Sequence, residues 1–155
     1  MSRQLVIRPE ACIGCKSCAM ICSLNRCGAI SPESAAVTVY MLDDGGAVPM
    51  LCMHCQDAVC MEVCPTGALH RDERTNAVVL DAAKCIGCGQ CALHCPFGRV
   101  HQDAHRAVMV KCDLCGGHPK CADICPAGAI DFLELQKQTD LGFLGRMRPE
   151  TEGTE

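Results

Sequence analysis

The run Cys85-Ile86-Gly87-Cys88-Gly89-Gln90-Cys91-Ala92-Leu93-His94-Cys95-Pro96 constrains this chain more than any other stretch. Its spacing is C-x2-C-x2-C-x3-C-P. Three thiolates on one loop can hold three corners of an inorganic cubane, whereas a zinc knuckle usually draws two cysteines from a loop. A residue before proline is pushed out of the helical region, so Cys95 should turn away from the helical turn begun at Cys91. That leaves the last cysteine able to reach a different cluster.

The grouping occurs four times. Cys12, Cys15, Cys18 and Cys22 are spaced 2, 2, 3, with Ser23 where a proline would stand. Cys52, Cys55, Cys60 and Cys64 are spaced 2, 4, 3 and run into Pro65. After Cys85, Cys88, Cys91 and Cys95 come Cys112, Cys115, Cys121 and Cys125, spaced 2, 5, 3 and followed by Pro126. Groups one and three share Cys-Ile-Gly-Cys, and groups two and four share a wider gap and a Cys-Pro-x-Gly-Ala ending. The pattern is that of a doubled unit. Cys27, the seventeenth cysteine, stands outside every group and is expected to be a buried free thiol.

A chain of 155 residues with no Trp, three Phe and one Tyr has too few large apolar side chains for an ordinary core. Cluster-held loops would fill that space. A disulfide scaffold needs an oxidising compartment. The opening MSRQLVIRPE has no long apolar segment, cleavage site or twin-arginine pair, and the cysteine count is odd. No apolar run approaches the roughly 20 residues of a bilayer span, so a cytoplasmic chain with no direct membrane span is expected. Formal charge is −4. Four clusters, each adding about −2 with its thiolates, would bring it to about −12. Such a surface repels nucleic acid and suits a partner with a basic docking patch.

Along the chain we expect short strands at Leu5–Ile7, 37–41, 69–71, 77–80 and 108–110, and a hairpin turn at Asp43-Asp44-Gly45-Gly46. Residues 97–107 read as a polar connector. The tail from Asp131 begins as a strand or helix and frays from Pro149, with Leu141, Phe143, Leu144 and Met147 capping the clusters. The link from Cys64 to Cys85 contains a self-sufficient hairpin, so groups two and three look like a compact two-cluster unit that groups one and four close around. Cys12, Cys15 and Cys18 would then share a cluster with Cys125, and Cys112, Cys115 and Cys121 with Cys22. Cys52, Cys55 and Cys60 would take Cys95, and Cys85, Cys88 and Cys91 would take Cys64. Sequential pairing of groups one with two and three with four is the alternative.

Residues 5–133 resemble the four-cluster iron–sulfur subunits of the dimethyl sulfoxide reductase and formate dehydrogenase type. Similar subunits serve hydrogenases, carbon monoxide dehydrogenase and tungsten aldehyde oxidoreductases. All sixteen group positions carry cysteine. The resemblance implies four [4Fe-4S] clusters, the nested pairing, and an α+β fold. That fold would be two interleaved bacterial-ferredoxin-like (βαβ)2 modules, with short strands and helices around four cubanes. The outer module would span 1–48 plus 100–133, the inner module 49–99, and a C-terminal tail 134–155. Set against that resemblance, the chain is expected to lack the C-terminal anchor and export signal of some such subunits, which would favour a cytoplasmic partner.

No P-loop, Rossmann fingerprint or nucleophile with an evident His/Asp set is present, so the chain is expected to be non-catalytic. The expected function is a wire between a catalytic subunit of a molybdenum or tungsten oxidoreductase, or a hydrogenase, and a redox partner. Tungsten aldehyde oxidoreductase and formate dehydrogenase are candidates for the former, and a flavin/NAD protein or a ferredoxin for the latter. The alternative is a free-standing polyferredoxin shuttle or maturation ferredoxin; a further reading has copies stacking into a longer wire. Gly14, Gly87 and Gly89 let amides turn toward a cluster. Lys16, Lys84, Lys111 and Lys120 are expected to be solvated, although a cation beside a cluster would raise its potential. His54 and His94 are not expected to be ligands, and Met20, Met53 and Met61 are expected to fill gaps.

Overall fold

The computed structural model describes residues 2–135. In order they form β1 (Ser2–Ile7), α1 (Ser17–Cys27), β2 (Thr38–Met41), β3 (Ala47–Met50), α2 (Val59–Glu62), β4 (Leu69–Arg71), β5 (Val78–Leu80), α3 (Gln90–Leu93), β6 (His101–Gln102), β7 (Met109–Val110), α4 (Lys120–Asp123) and β8 (Ile130–Leu135). The mixture of small helices and strands is α+β and ferredoxin-like. Elements are short because cysteine loops interrupt every apolar run. α2, α3 and α4 have four residues each, about one turn, which does not persist alone.

Every sheet among the described residues is a two-stranded antiparallel pair: β1 with β8, β2 with β3, β4 with β5, and β6 with β7. Such pairs are marginal by themselves. The pairings nest, because β1 near the start meets β8, α1 packs on α4, and α2 packs on α3. Ile7 stands opposite Ile130, and the Arg8 guanidinium ties the two strands' facing ends by bridging Gly128 O at 2.9 Å and the Asp131 carboxylate.

The core divides in two. Cys18, Ala19, Ala35, Val37, Leu51, Cys121 and Ile130 form one part. Ala58, Leu69, Val78, Cys91, Val100 and Met109 form the other. The largest fully buried side chains are Leu51, Ile130, Val37, Val78 and Val110; none is aromatic.

Several expectations need correction. The connector 97–107 is not simply polar, since it carries β6 and buries Arg99, Val100 and Asp103. Burial of Arg99 is tolerated because its guanidinium donates to the Tyr40 hydroxyl, Met50 O and Phe97 O. Cys27 is exposed, because Gly28 at φ 75° ends α1 there and the thiol stays local, donating to Ser23 O at 3.1 Å. The tail opens as strand β8; Leu141, Phe143, Leu144, Met147 and the fraying at Pro149 lie outside the described residues.

Gly87 marks the tightest loop. Its φ is +67°, and a Cβ there would sit 2.6 Å from the backbone oxygen of Ala107. At the equivalent Gly14, φ +68°, a Cβ would meet only the flexible end of Met41 at 3.0 Å and the Ala47 Cβ at 3.3 Å. Gly87→Ala should therefore destabilise the protein by about 1–3 kcal/mol and Gly14→Ala by less. Denaturant midpoints, read by the visible absorbance of the holoprotein, check this.

Candidate metal centres

Among the described residues, four voids between the loops are each lined by four cysteines. The first has Cys12, Cys15 and Cys18 from the loop entering α1, with Cys125 from beyond α4. The second has Cys112, Cys115 and Cys121 with Cys22 from α1. The third has Cys52, Cys55 and Cys60 with Cys95 from beyond α3. The fourth has Cys85, Cys88 and Cys91 with Cys64 from beyond α2. Their volumes, solvent mouths included, run from about 280 to about 460 Å³. Among the described residues no three His, Cys, Asp or Glu side chains converge to hold a single metal ion. The thiols surround a space rather than a point, as a cluster with iron at its corners requires.

The helix packing explains these memberships. α1 carries Cys18 and Cys22 one turn apart, so one helix serves the first and second voids, and α4 packed against it carries Cys121. α2 and α3 repeat the arrangement with Cys60 and Cys91. Cys18 and Cys121 pack in one half of the core, and Cys91 packs with Cys60, Cys64, Cys85 and Cys95 in the other. Lys111 Nζ, which reaches both Cys52 Sγ and Cys112 O, puts the second void beside the third.

N–H groups face the sulfurs. Ala36 N donates to Cys22 Sγ at 3.3 Å, and Arg99 N to Cys95 Sγ at 3.3 Å. His54 N donates to Cys52 Sγ and Leu114 N to Cys112 Sγ, both at 3.5 Å. Arginines fasten the loops: Arg71 holds Cys55 O at 2.7 Å and Gln56 O at 2.8 Å, and Arg26 reaches from α1 to Lys111 O at 2.7 Å.

Burial pushes Cys18 and Cys91 up to about 11 and Cys121 up to about 12, and raises Cys112 well above the ordinary thiol value. An empty fold resists ionising these thiols, and positive iron offsets that resistance. Ser17 holds the Cys15 thiol below its usual value by hydrogen bonding. His54 is pushed down to about 3 by burial, then by the charges of Lys111 and Arg71. It is therefore neutral. Its Nδ1 accepts from Val78 N at 3.1 Å, which places the proton on Nε2, a buried atom with no partner among the described residues. An unpaired buried donor on a ring that lines the third void fits a site meant to hold sulfur acceptors.

The other residues singled out from the sequence divide. Lys16 is exposed at the rim of the first void; Lys84 and Lys120 are exposed and line none of the four. Lys111 is a correction: it is 2% exposed and lines the third void. His94 is exposed, its Nδ1 paired with Gln90 O at 2.9 Å. Met20, on α1, is exposed and lines none of the voids; Met53 is half exposed but lines the third void, and Met61 packs on the second half of the core. Sequence reading missed Arg71, Arg99 and Arg26. The available signal was weak: Arg99 follows Cys95 by four residues, a place where a cation next to an apolar stretch has to find internal acceptors.

Residues 44–135 match the 4Fe-4S dicluster domain, and residues 9–25 match a 4Fe-4S binding domain. The chain belongs to the 4Fe-4S dicluster family. It is 45% identical over 131 residues to the aliphatic sulfonate oxidoreductase polyferredoxin-like subunit of Pyrococcus furiosus, a match covering 84% of this chain and 76% of that protein. It is 33% identical to a chain of the anaerobic dimethyl sulfoxide reductase of Escherichia coli K12, covering 81% and 70%. It is likewise 33% identical to the thiosulfate reductase electron transfer subunit PhsB of Salmonella typhi, covering 88% and 78%. A chain of the active site complex BamBC of benzoyl coenzyme A reductase shares the fold at a TM-score of 0.51 and 20% identity, covering 94% of this chain and 90% of that one. This dicluster-family chain is a non-catalytic iron–sulfur electron-transfer subunit of an oxidoreductase complex. No helix among its described residues is long and apolar enough to cross a membrane.

Proposed function

We propose that the sixteen grouped cysteines ligate four [4Fe-4S] clusters in the nested pairing and that the chain is a wire for a large catalytic metalloenzyme subunit. One observation carries this: each of the four voids is lined by three cysteines of one group and the last of its nested partner. Bound clusters supply one-electron, outer-sphere transfer. The protein's own residues hold the loops at fixed spacing, direct N–H groups at sulfur and exclude water from the inner sites.

The two interleaved modules, 1–48 plus 100–133 and 49–99, follow from the same reading, supported by the β1–β8 and α1–α4 pairings that close around α2 and α3. Ile13, 67% exposed at the first void, and Ile86, 65% exposed at the fourth, give each end of the row of voids an apolar contact for a redox partner. The catalytic subunit is a molybdenum or tungsten oxidoreductase, with tungsten aldehyde oxidoreductase and formate dehydrogenase as candidates, and the complex is cytoplasmic. Three relatives are named for oxidised sulfur compounds, which puts that substrate class beside aldehydes and formate as the first to assay.

Anaerobic purification of the tagged chain from its native host should recover about sixteen irons with a large molybdenum- or tungsten-containing subunit. Sixteen irons and no partner would instead establish a free polyferredoxin. Zinc in place of iron would overturn the reading.

A further inference from the structure

One buried cation, Lys111, touches both halves of the molecule. Its Nζ donates to Cys52 Sγ of the third void at 3.1 Å, to Val78 O at 2.6 Å, and to the carbonyl of Cys112, a residue of the second void, at 3.4 Å. An ammonium has three protons, and three acceptors surround this one. With 2% exposure, its charge is poorly screened by water.

The four voids differ in the charge around them. Lys111 and Arg99 line the third, and both are buried; the carboxylate there, Asp57, is exposed. The second is lined by one cation and one carboxylate, Arg26 and Asp113, and Arg26 Nε there is a buried N–H without a partner among the described residues. The first has only the exposed Lys16, and among the described residues no charged side chain lines the fourth. The third void also holds the unpartnered Nε2–H of His54. Reduction adds one negative charge, so buried cations and N–H donors favour the reduced form and raise the potential.

We infer that Lys111 makes the cluster held by Cys52, Cys55, Cys60 and Cys95 the highest-potential site of the four, so that the first electron delivered by the redox partner settles where the two halves of the protein meet. The inference rests on the four-cluster reading above. The electron enters with no bond made or broken, and Lys111 acts on it through Cys52 Sγ and through space. It is a positioning charge, not a catalytic residue.

The test is an anaerobic redox titration of the full chain followed by electron paramagnetic resonance, with iron counted in every sample. In Lys111→Met at full iron content, one midpoint should fall by at least tenfold in the reduction equilibrium, about 59 mV for one electron. The midpoint of the second void's cluster, whose Cys112 O also faces Lys111 Nζ, should fall by less, the first and fourth should stay, and Lys111→Arg should keep most of the wild-type value. Four unchanged midpoints in Lys111→Met would overturn the inference, since a merely structural lysine leaves potentials alone. A second arm leaves Lys111 in place. Cys55→Ser alters only the third void, and the signal it perturbs should be the one with the highest midpoint. If the highest-midpoint signal survives unchanged while another is perturbed, the inference fails, whether or not Lys111→Met assembles. Wild-type protein with far fewer than sixteen irons would overturn the four-cluster reading itself.

Discussion

Stripped of iron under anaerobic, reducing conditions, the chain should lose its tertiary structure outright. Among the described residues the four sheets are isolated strand pairs and three of the helices are single turns, none stable alone. The two halves of the core are built from small and medium side chains, and cysteines are members of both. Emptying the four voids removes packing partners from both halves at once, and it leaves buried thiols whose ionisation the fold opposes. In such a protein the free energy of binding metal is free energy of folding. Chelation should collapse the far-ultraviolet circular dichroism and abolish amide protection at Val78, Val110 and Ile130, which lie at 0 to 1% exposure. Slow exchange at those amides in iron-free protein would show that the chain folds without its clusters.

The second large effect separates the two ways of pairing the groups. Cys22 lines the second void beside Cys112, Cys115 and Cys121, although it belongs to the first group in sequence. Cys22→Ala should therefore remove or convert the same paramagnetic signal as Cys115→Ala, with a loss of one to about four irons depending on whether a three-iron remnant survives. In the same way Cys64→Ala should reproduce the signature of Cys88→Ala. Under sequential pairing, Cys22→Ala would instead match Cys55→Ala, and Cys64→Ala would match Cys15→Ala. Comparing each pair of spectra distinguishes the schemes even where every variant loses iron, because the match between signatures carries the answer rather than the amount lost.

Much of the site was legible because ligand spacing is a local property. A C-x2-C-x2-C run places three thiols on one loop whatever the rest of the chain does. The hairpin at Leu69–Arg71 and Val78–Leu80 was likewise readable, since its turn, Asp72 to Asn76, closes by hydrogen bonds within the turn itself. Other features were not readable. Lys111 and Lys84 both precede a cysteine by one residue, yet one is buried against Cys52 and the other is 61% exposed in an ion pair with Asp81. Nothing near either lysine in sequence predicts the difference. Val78 O and Cys52 Sγ, which hold Lys111, lie 33 and 59 residues away.

Arg99 makes the same point. Composition suggested a polar connector there, but the acceptors of its side chain include Tyr40, 59 residues earlier. Cys27 looked like a core thiol by residue type, and the helix stop at Gly28 left it outside.

The sequence by itself determined the cofactor chemistry, the four groups, the doubled unit and the short local turns. The groups and turns each depend on residues within about a dozen positions of one another, and the doubled unit on the recurrence of the same local spacing. Only the tertiary structure decided which loop approaches which void, which lysine is buried between the halves, and that the first strand meets the last. Those outcomes depend on closing loops of up to 133 residues, from Ser2 to Leu135, through packing of small helices and strands. The entropic cost of closure grows only slowly with loop length, so sequence separation alone does not choose the partner. Complementary contacts choose it, and they exist only once the chain has come together.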